Sequence, residues 1–221
     1  VRRPSLRQVG PFHPELRYGE DVDLIWRLRS VGTIRYVPTA VASHPPRSTI
    51  ESFARQRLGY GSAAGPLGRR HGAAVAPLRS SRWTLVIVGL ALSGHTVAAL
   101  GLHGLATRLL VPKLGSLSDP VIEAARLTTT GNVWAARTVA RSAVRSWWPI
   151  AVFGLALPPT RRVALRWLGW ALADRMIAER SVDPAMLGLG LIDDVSYGSG
   201  VWLGALRSRS LVALCPATND Q

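Results

Sequence analysis

The 221-residue sequence has one cysteine, Cys215, so no disulfide within the chain can staple its fold. It has one lysine, Lys113, and only 13 acidic residues against 27 basic ones, so its formal charge of +14 is carried almost wholly by arginine. Aromatics make up 7%, and Trp, with eight, outnumbers Tyr and Phe together. Apolar residues are not scarce: 48% of the chain is hydrophobic and its mean hydropathy is positive, which excludes a disordered basic tail. Trp beside Arg is a pairing enriched at membrane interfaces. The basic residues are spread along the chain, with no stripe interleaved by stacking aromatics, so nucleic acid is not an expected partner. A basic membrane-surface module without catalysis stands as the non-enzymatic reading. No signal peptide follows Val1, and the opening VRRPSLRQVG without Met is that expected of a fragment or a processed product.

The composition divides the chain. Residues 1–62 read as mixed α/β. Apolar Leu24, Leu28 and Val31 at helical spacing predict a helix from about Glu20 to Ser30, stopped by Gly32. Thr33–Val37 (TIRYV) predicts a short strand ended by Pro38, with Val41 extended towards His44. Ser48–Leu58 predicts a second helix, Ser48 capping it with Glu51 three positions on. Residues 63–81 read as a basic linker. Residues 82–108 read as one hydrophobic helix: Trp83–Thr107 has no formal charge and is long enough to cross a bilayer. Arg69, Arg70, Arg79 and Arg82 before it would place residues 1–81 on the cytoplasmic side. Residues 109–145 read as polar or amphipathic helix. Residues 146–215 read as amphipathic or half-inserted helices with Trp147, Trp148, Trp167, Trp170 and Trp202 as interfacial anchors, and 216–221 as a tail.

Four constellations can carry chemistry. Glu20, Asp21 and Asp23 crowd the first turn of the first helix. Acids there are ordinary caps that favour the helix dipole, yet a carboxylate presented by the turn at Gly19 could also take a proton from a hydroxyl. Asp23 points elsewhere and suits bracing a loop. His44 and Arg47 follow the expected strand, as structural residues or as a metal ligand and a phosphate contact. Arg57, Gln56 and Tyr60 on the second helix form either a solvated basic face or contacts to phosphate, sugar hydroxyls and a sugar ring. Asp193 and Asp194, after an apolar stretch, are expected to pair with Arg207 or Arg209. Cys215 has no evident His or acid partner and reads as incidental.

With these motifs stated, residues 1–62 resemble the C-terminal half of a family 2 glycosyltransferase catalytic domain of the GT-A type. The features are an opening RR…L…VG-F…EL, then GEDVDLIWRL, a strand, His and Arg, and a Q-R-x-x-Y-G helix. The tail, with D-D-x-x-Y-G-x-G-V-W and Arg pairs at 193–209, is similar to the branch that acts in mycofactocin biosynthesis. The resemblance implies an α/β fold followed by a largely helical, membrane-associated region. It implies Asp21 as catalytic base supported by Glu20, with Asp23, Trp26, Gln56 and Tyr60 on the acceptor side. Arg47 and Arg57 would face the diphosphate, and His44 would ligate a divalent metal, Mg or Mn. The reaction implied is inverting transfer of a hexose, glucose from UDP-glucose, to mycofactocin, a small peptide-derived redox cofactor. A lipid or polysaccharide acceptor is the alternative.

Two departures bear on this. Gly59 and Tyr60 stand where the Q-x-x-R-W signature of membrane β-glycan synthases has Arg and Trp, which argues against processive polymerisation. The metal-binding D-x-D of the donor-binding half is absent, since Asp21-Val22-Asp23 belongs to the acceptor-side motif. These 221 residues alone are therefore expected to be inactive.

Overall fold

A computed structural model describes residues 2–43, 45, 47–179 and 183–218. It is 73% helical, with two strands of two residues each among the described residues, and this overturns the expected α/β class. The segment 33–37 is not a strand: no neighbouring segment offers it a ladder, and Tyr36 is left 90% exposed. A period-2 pattern encodes a face, but a strand forms only when a second chain segment accepts its hydrogen bonds. The two strands present, β1 (Arg79–Ser80) and β2 (Ala217–Thr218), pair in parallel.

The contacts group the chain into two compact units. The first unit comprises residues up to 76 with 192–214. It holds α1 (Arg3–Val9), α2 (Glu20–Leu28), α3 (Ile50–Ser62), α4 (Ala64–His71) and the C-terminal part of the helix Pro184–Ser208. The α2 helix begins where the sequence predicts. Gly19, at φ +75°, makes the left-handed turn into it, and Leu24 and Leu28 bury its apolar side. The cap of α3 lies one residue later than expected: Thr49, not Ser48, accepts the Ser52 N–H through its side chain. Residues 64–71, read as linker, are helix α4, with Gly65, Leu67 and Gly68 buried.

The first unit depends on close helix crossing at glycine. A Cβ on Gly61 would meet the Tyr197 carbonyl oxygen, one on Gly65 the Gly204 carbonyl, and one on Gly200 the Leu58 carbonyl, all nearer than atoms can approach. Gly200 and Gly204 are four apart on one face of Pro184–Ser208, while Gly61 lies at the end of α3 and Gly65 at the start of α4. Small-xxx-small stripes of this kind let two helix backbones touch. Val201, Ala205, Ala213 and Leu214 then pack with Ala64, Val75 and Trp202.

The second unit comprises residues 77–191 and 215 onward. The expected single hydrophobic helix is two, α5 (Arg82–Ser93) and α6 (Thr96–Leu110), broken at Gly94. Gly94 adopts φ +92° and its N–H closes on the Leu90 and Ala91 carbonyls, a C-terminal cap that only glycine takes without strain. Arg166 Nη1 donates to the Ser93 carbonyl at 2.8 Å and fills the space a Cβ on Gly94 would need. Then come α7 (Pro120–Val144), α8 (Trp148–Ala156) and α9 (Pro158–Glu179); the helix Pro184–Ser208 is α10. The core is Leu78, Val88 and Leu92 against Ala135 and Val139, closed by Trp147 and Trp167. Of the five expected interfacial tryptophans, these two and Trp202 pack in cores instead, and Trp170 is exposed. Among the described residues one helical stretch, Thr96–Leu114, is long and apolar enough to cross a bilayer by length and composition, and little of it is buried.

Opposite outcomes are expected at two glycines. Gly200→Val should destabilise by about 2 kcal/mol, because backbone must move to admit the side chain. Gly131→Ala, in α7 with open space around it, should stabilise by about 0.5–1 kcal/mol. Urea unfolding of both variants checks this, and midpoints moving in the same direction would contradict it.

Candidate functional site

The start of α2 stands at the rim of a cleft of about 560 Å³ in the first unit. Glu20 and Asp21 line it from α2, with Trp26 one turn further on; Tyr60 and Leu67 line it from α3 and α4, and Tyr197 from α10. Local sequence explains this placement. Gly19 brings the chain against α4, where a Cβ would collide with Ala63, and Gly59 leaves room for the Tyr18 ring. Tyr18 in turn packs edge-on against Tyr60, their centroids 5.9 Å apart. Asp21 is exposed, with Oδ1 accepting the Val22 N–H at 2.8 Å, so its second oxygen is open to a ligand.

Asp23 sits behind this rim, with no exposed surface. Arg27 Nε donates to its Oδ2, and Arg70 Nε to its Oδ1, each at 2.8 Å. His71 Nε2 lies 2.8 Å from the same Oδ1. An ionised carboxylate only accepts, so His71 carries a proton on Nε2. Burial alone would raise the Asp23 pKa. The hydrogen bonds from His71, Arg27 and Arg70 outweigh it and hold the carboxyl at about 2, below its ordinary 3.8. Arg27 continues the network, donating to the carbonyls of Val9, Gly10 and Pro11 at and just after the end of α1. The Trp26 ring meets His71 edge-on at 4.9 Å, which couples the network to the cleft wall.

The sequence-predicted residues therefore separate. Glu20, Asp21, Trp26 and Tyr60 come together in the cleft. Asp23 was expected on the acceptor side; being wholly buried, it offers no atom to an acceptor and serves as the brace. Gln56 reaches the site through Tyr60, whose hydroxyl accepts from its Nε2 at 2.8 Å. Arg57 does not line the cleft: it pairs with Asp193 and lies over the rings of Phe53 and Tyr60. That pairing corrects the expectation for Asp193, since Arg207 stands about 21 Å further along the same helix. Arg47 is exposed and away from the cleft lining. His44 lies outside the described residues. Among the described residues no group of three or more His, Cys, Asp or Glu is placed to hold a metal, so the donor set for the implied divalent ion is not found there.

Sequence reasoning missed Tyr18, Tyr197, Arg70 and His71. Arg70 carried a misleading signal, counted as a membrane flank when it is committed to Asp23.

Replacing Asp23 by Asn should cost about 3 kcal/mol, because two arginines lose their buried partner. The depressed folded pKa stabilises the protein above 3.8, and that stability is lost as pH falls towards 2. Urea unfolding from neutral pH to acid should show this loss in wild type and a flatter dependence in Asp23→Asn; an unchanged midpoint at neutral pH would contradict the bracing role.

Comparison with known proteins adds a second line. No protein-family profile matches the chain, and no solved structure does. Two curated relatives match, both pre-mycofactocin glycosyltransferases of Mycobacterium tuberculosis, from strains CDC 1551 / Oshkosh and ATCC 25618 / H37Rv. Each is 31% identical over 234 aligned positions, covering 97% of this chain and 49% of the relative. The chain spans about half the length of these relatives, in keeping with its likeness to a C-terminal portion. Along nearly its whole length, then, the chain is similar to a pre-mycofactocin glycosyltransferase.

Proposed function

We propose that the chain is the acceptor-side and membrane-associated portion of an inverting glycosyltransferase that moves a hexose, glucose from UDP-glucose, onto pre-mycofactocin. The observation that carries this reading is Asp21 at the mouth of an aromatic cleft, in a chain similar over 97% of its length to enzymes of that name. Trp26, Tyr60 and Tyr197 offer flat apolar faces on which a sugar or acceptor ring can lie. An acceptor hydroxyl held between them would donate to Asp21. As its oxygen bonds to the anomeric carbon, the bond from that carbon to UDP breaks, and the hydroxyl proton passes to Asp21. Glu20 adds negative charge beside it. Gln56 and Tyr18 hold the Tyr60 ring in place.

Membrane association is supported by Thr96–Leu114, whose Val97 and Leu100 are 84% and 71% exposed. Arg69, Arg79 and Arg82 before it favour the cytoplasmic face for the catalytic part. The same exposed helix favours a second reading, a lipid acceptor delivered from the bilayer, which the acceptor spectrum of the enzyme separates from the first.

In the full-length protein carrying this chain, Asp21→Asn should lower turnover by about 10²–10⁴ while leaving donor affinity unchanged. Steady-state kinetics with an independent donor-binding titration checks it. A variant as active as wild type would remove Asp21 from the role of base.

A further inference from the structure

The second unit carries a charged constellation that the proposed transfer does not use. Asp174 of α9 is 6% exposed, and its two oxygens are taken separately by Arg137 Nε and Arg141 Nε of α7. One carboxylate thus holds two guanidinium groups side by side, through the nitrogen nearest each stem. The outer nitrogens of both forks stay available, and the two side chains are 47% and 56% exposed. Arg137 and Arg141 are four apart on α7 and line one groove of about 560 Å³. Thr129 and Thr130 add hydroxyls to that groove, while the Thr138 hydroxyl donates to the Trp134 carbonyl of its own helix; Val133 and Trp134, each 54% exposed, add an apolar wall.

We infer that the α7 groove is a binding site for a phosphate ester attached to an apolar body. Two guanidinium forks one helical turn apart match the oxygens of a phosphate, and the hydroxyls of Thr129 and Thr130 add to its hydrogen bonding. A free arginine would lose side-chain freedom on binding such a group. Here Asp174 has already fixed both stems, so less is lost. Two positive charges against one negative leave the groove net positive. The exposed Trp134 and Val133 suit the first carbons of a lipid or of another apolar alcohol.

The test uses the full chain and two probes. Vesicles of phosphatidylglycerol in phosphatidylcholine, against phosphatidylcholine alone, present a lipid phosphate monoanion in a surface; inorganic pyrophosphate presents soluble phosphate. Flotation reads the first and titration calorimetry the second. Binding is expected with at least one probe: to the charged vesicles if the source is a lipid headgroup, to pyrophosphate if it is a soluble ester. Arg141→Gln should weaken that binding about tenfold. The control pair Arg161→Gln and Arg162→Gln, exposed on α9 outside the groove lining, should leave it unchanged.

Asp174→Asn separates a built site from general attraction. Removing a negative charge strengthens any diffuse attraction of anions, whereas loss of the scaffold should weaken binding. Thr130→Val, which leaves every charge in place and removes an exposed groove hydroxyl, should weaken it too, and remains informative if Asp174→Asn fails to fold. Binding of neither probe, equal losses in the control pair, or binding unchanged by both Arg141→Gln and Thr130→Val would overturn the inference.

Discussion

The first unit is organised around the charge of one carboxylate. Asp23 has no contact with solvent, and a lone buried anion would cost several kcal/mol. It is tolerable because three donors from two helices converge on it, and because Arg27 extends to the last carbonyl of α1 and the two that follow. The network joins α1, α2 and α4 at a single point. Its partner His71 touches Trp26, and Asp21 stands two residues before Asp23 on the same helical turn. The brace and the proposed base are thus parts of one short motif with opposite surroundings: Asp23 closed in by cations, Asp21 open to the cleft.

Glycine supplies the second constraint. The crossing at Gly61, Gly65, Gly200 and Gly204 brings α10 close enough for Tyr197 to enter the cleft lining, and Gly19 and Gly59 seat the start of α2 against α3 and α4. The cleft therefore exists because side chains are missing at these positions. A larger residue at any of them would push apart the walls that carry the aromatic rings.

The helix carrying GEDVDL and the one carrying Q-R-x-x-Y-G were legible from apolar spacing, acids at an N-terminus and a hydroxyl cap placed one residue early at Ser48, all local signals. So was the pairing of Glu20, Asp21, Trp26 and Tyr60 in one site, through the resemblance that those motifs carry. What was not legible is non-local. TIRYV has the composition of a strand, but pairing depends on a neighbour that local sequence does not name. Arg70 reads as a flank charge until Asp23 is known to lie beside it. Arg57 reads as a phosphate contact until Asp193 takes it. In the second unit the break at Gly94 was hidden because Gly89, Gly101 and Gly104 punctuate the same apolar run and do not break it. Only Gly94 is reached by Arg166.

The central claim is that the cleft serves sugar transfer to pre-mycofactocin. It is tested most directly in cells from which the gene encoding this chain has been deleted, by measuring sugar-bearing mycofactocin with mass spectrometry. The glycosylated forms should disappear, the sugar-free form should accumulate, and the gene restored in full should bring the glycosylated forms back. Glycosylated mycofactocin persisting at wild-type levels in the deleted strain would contradict it.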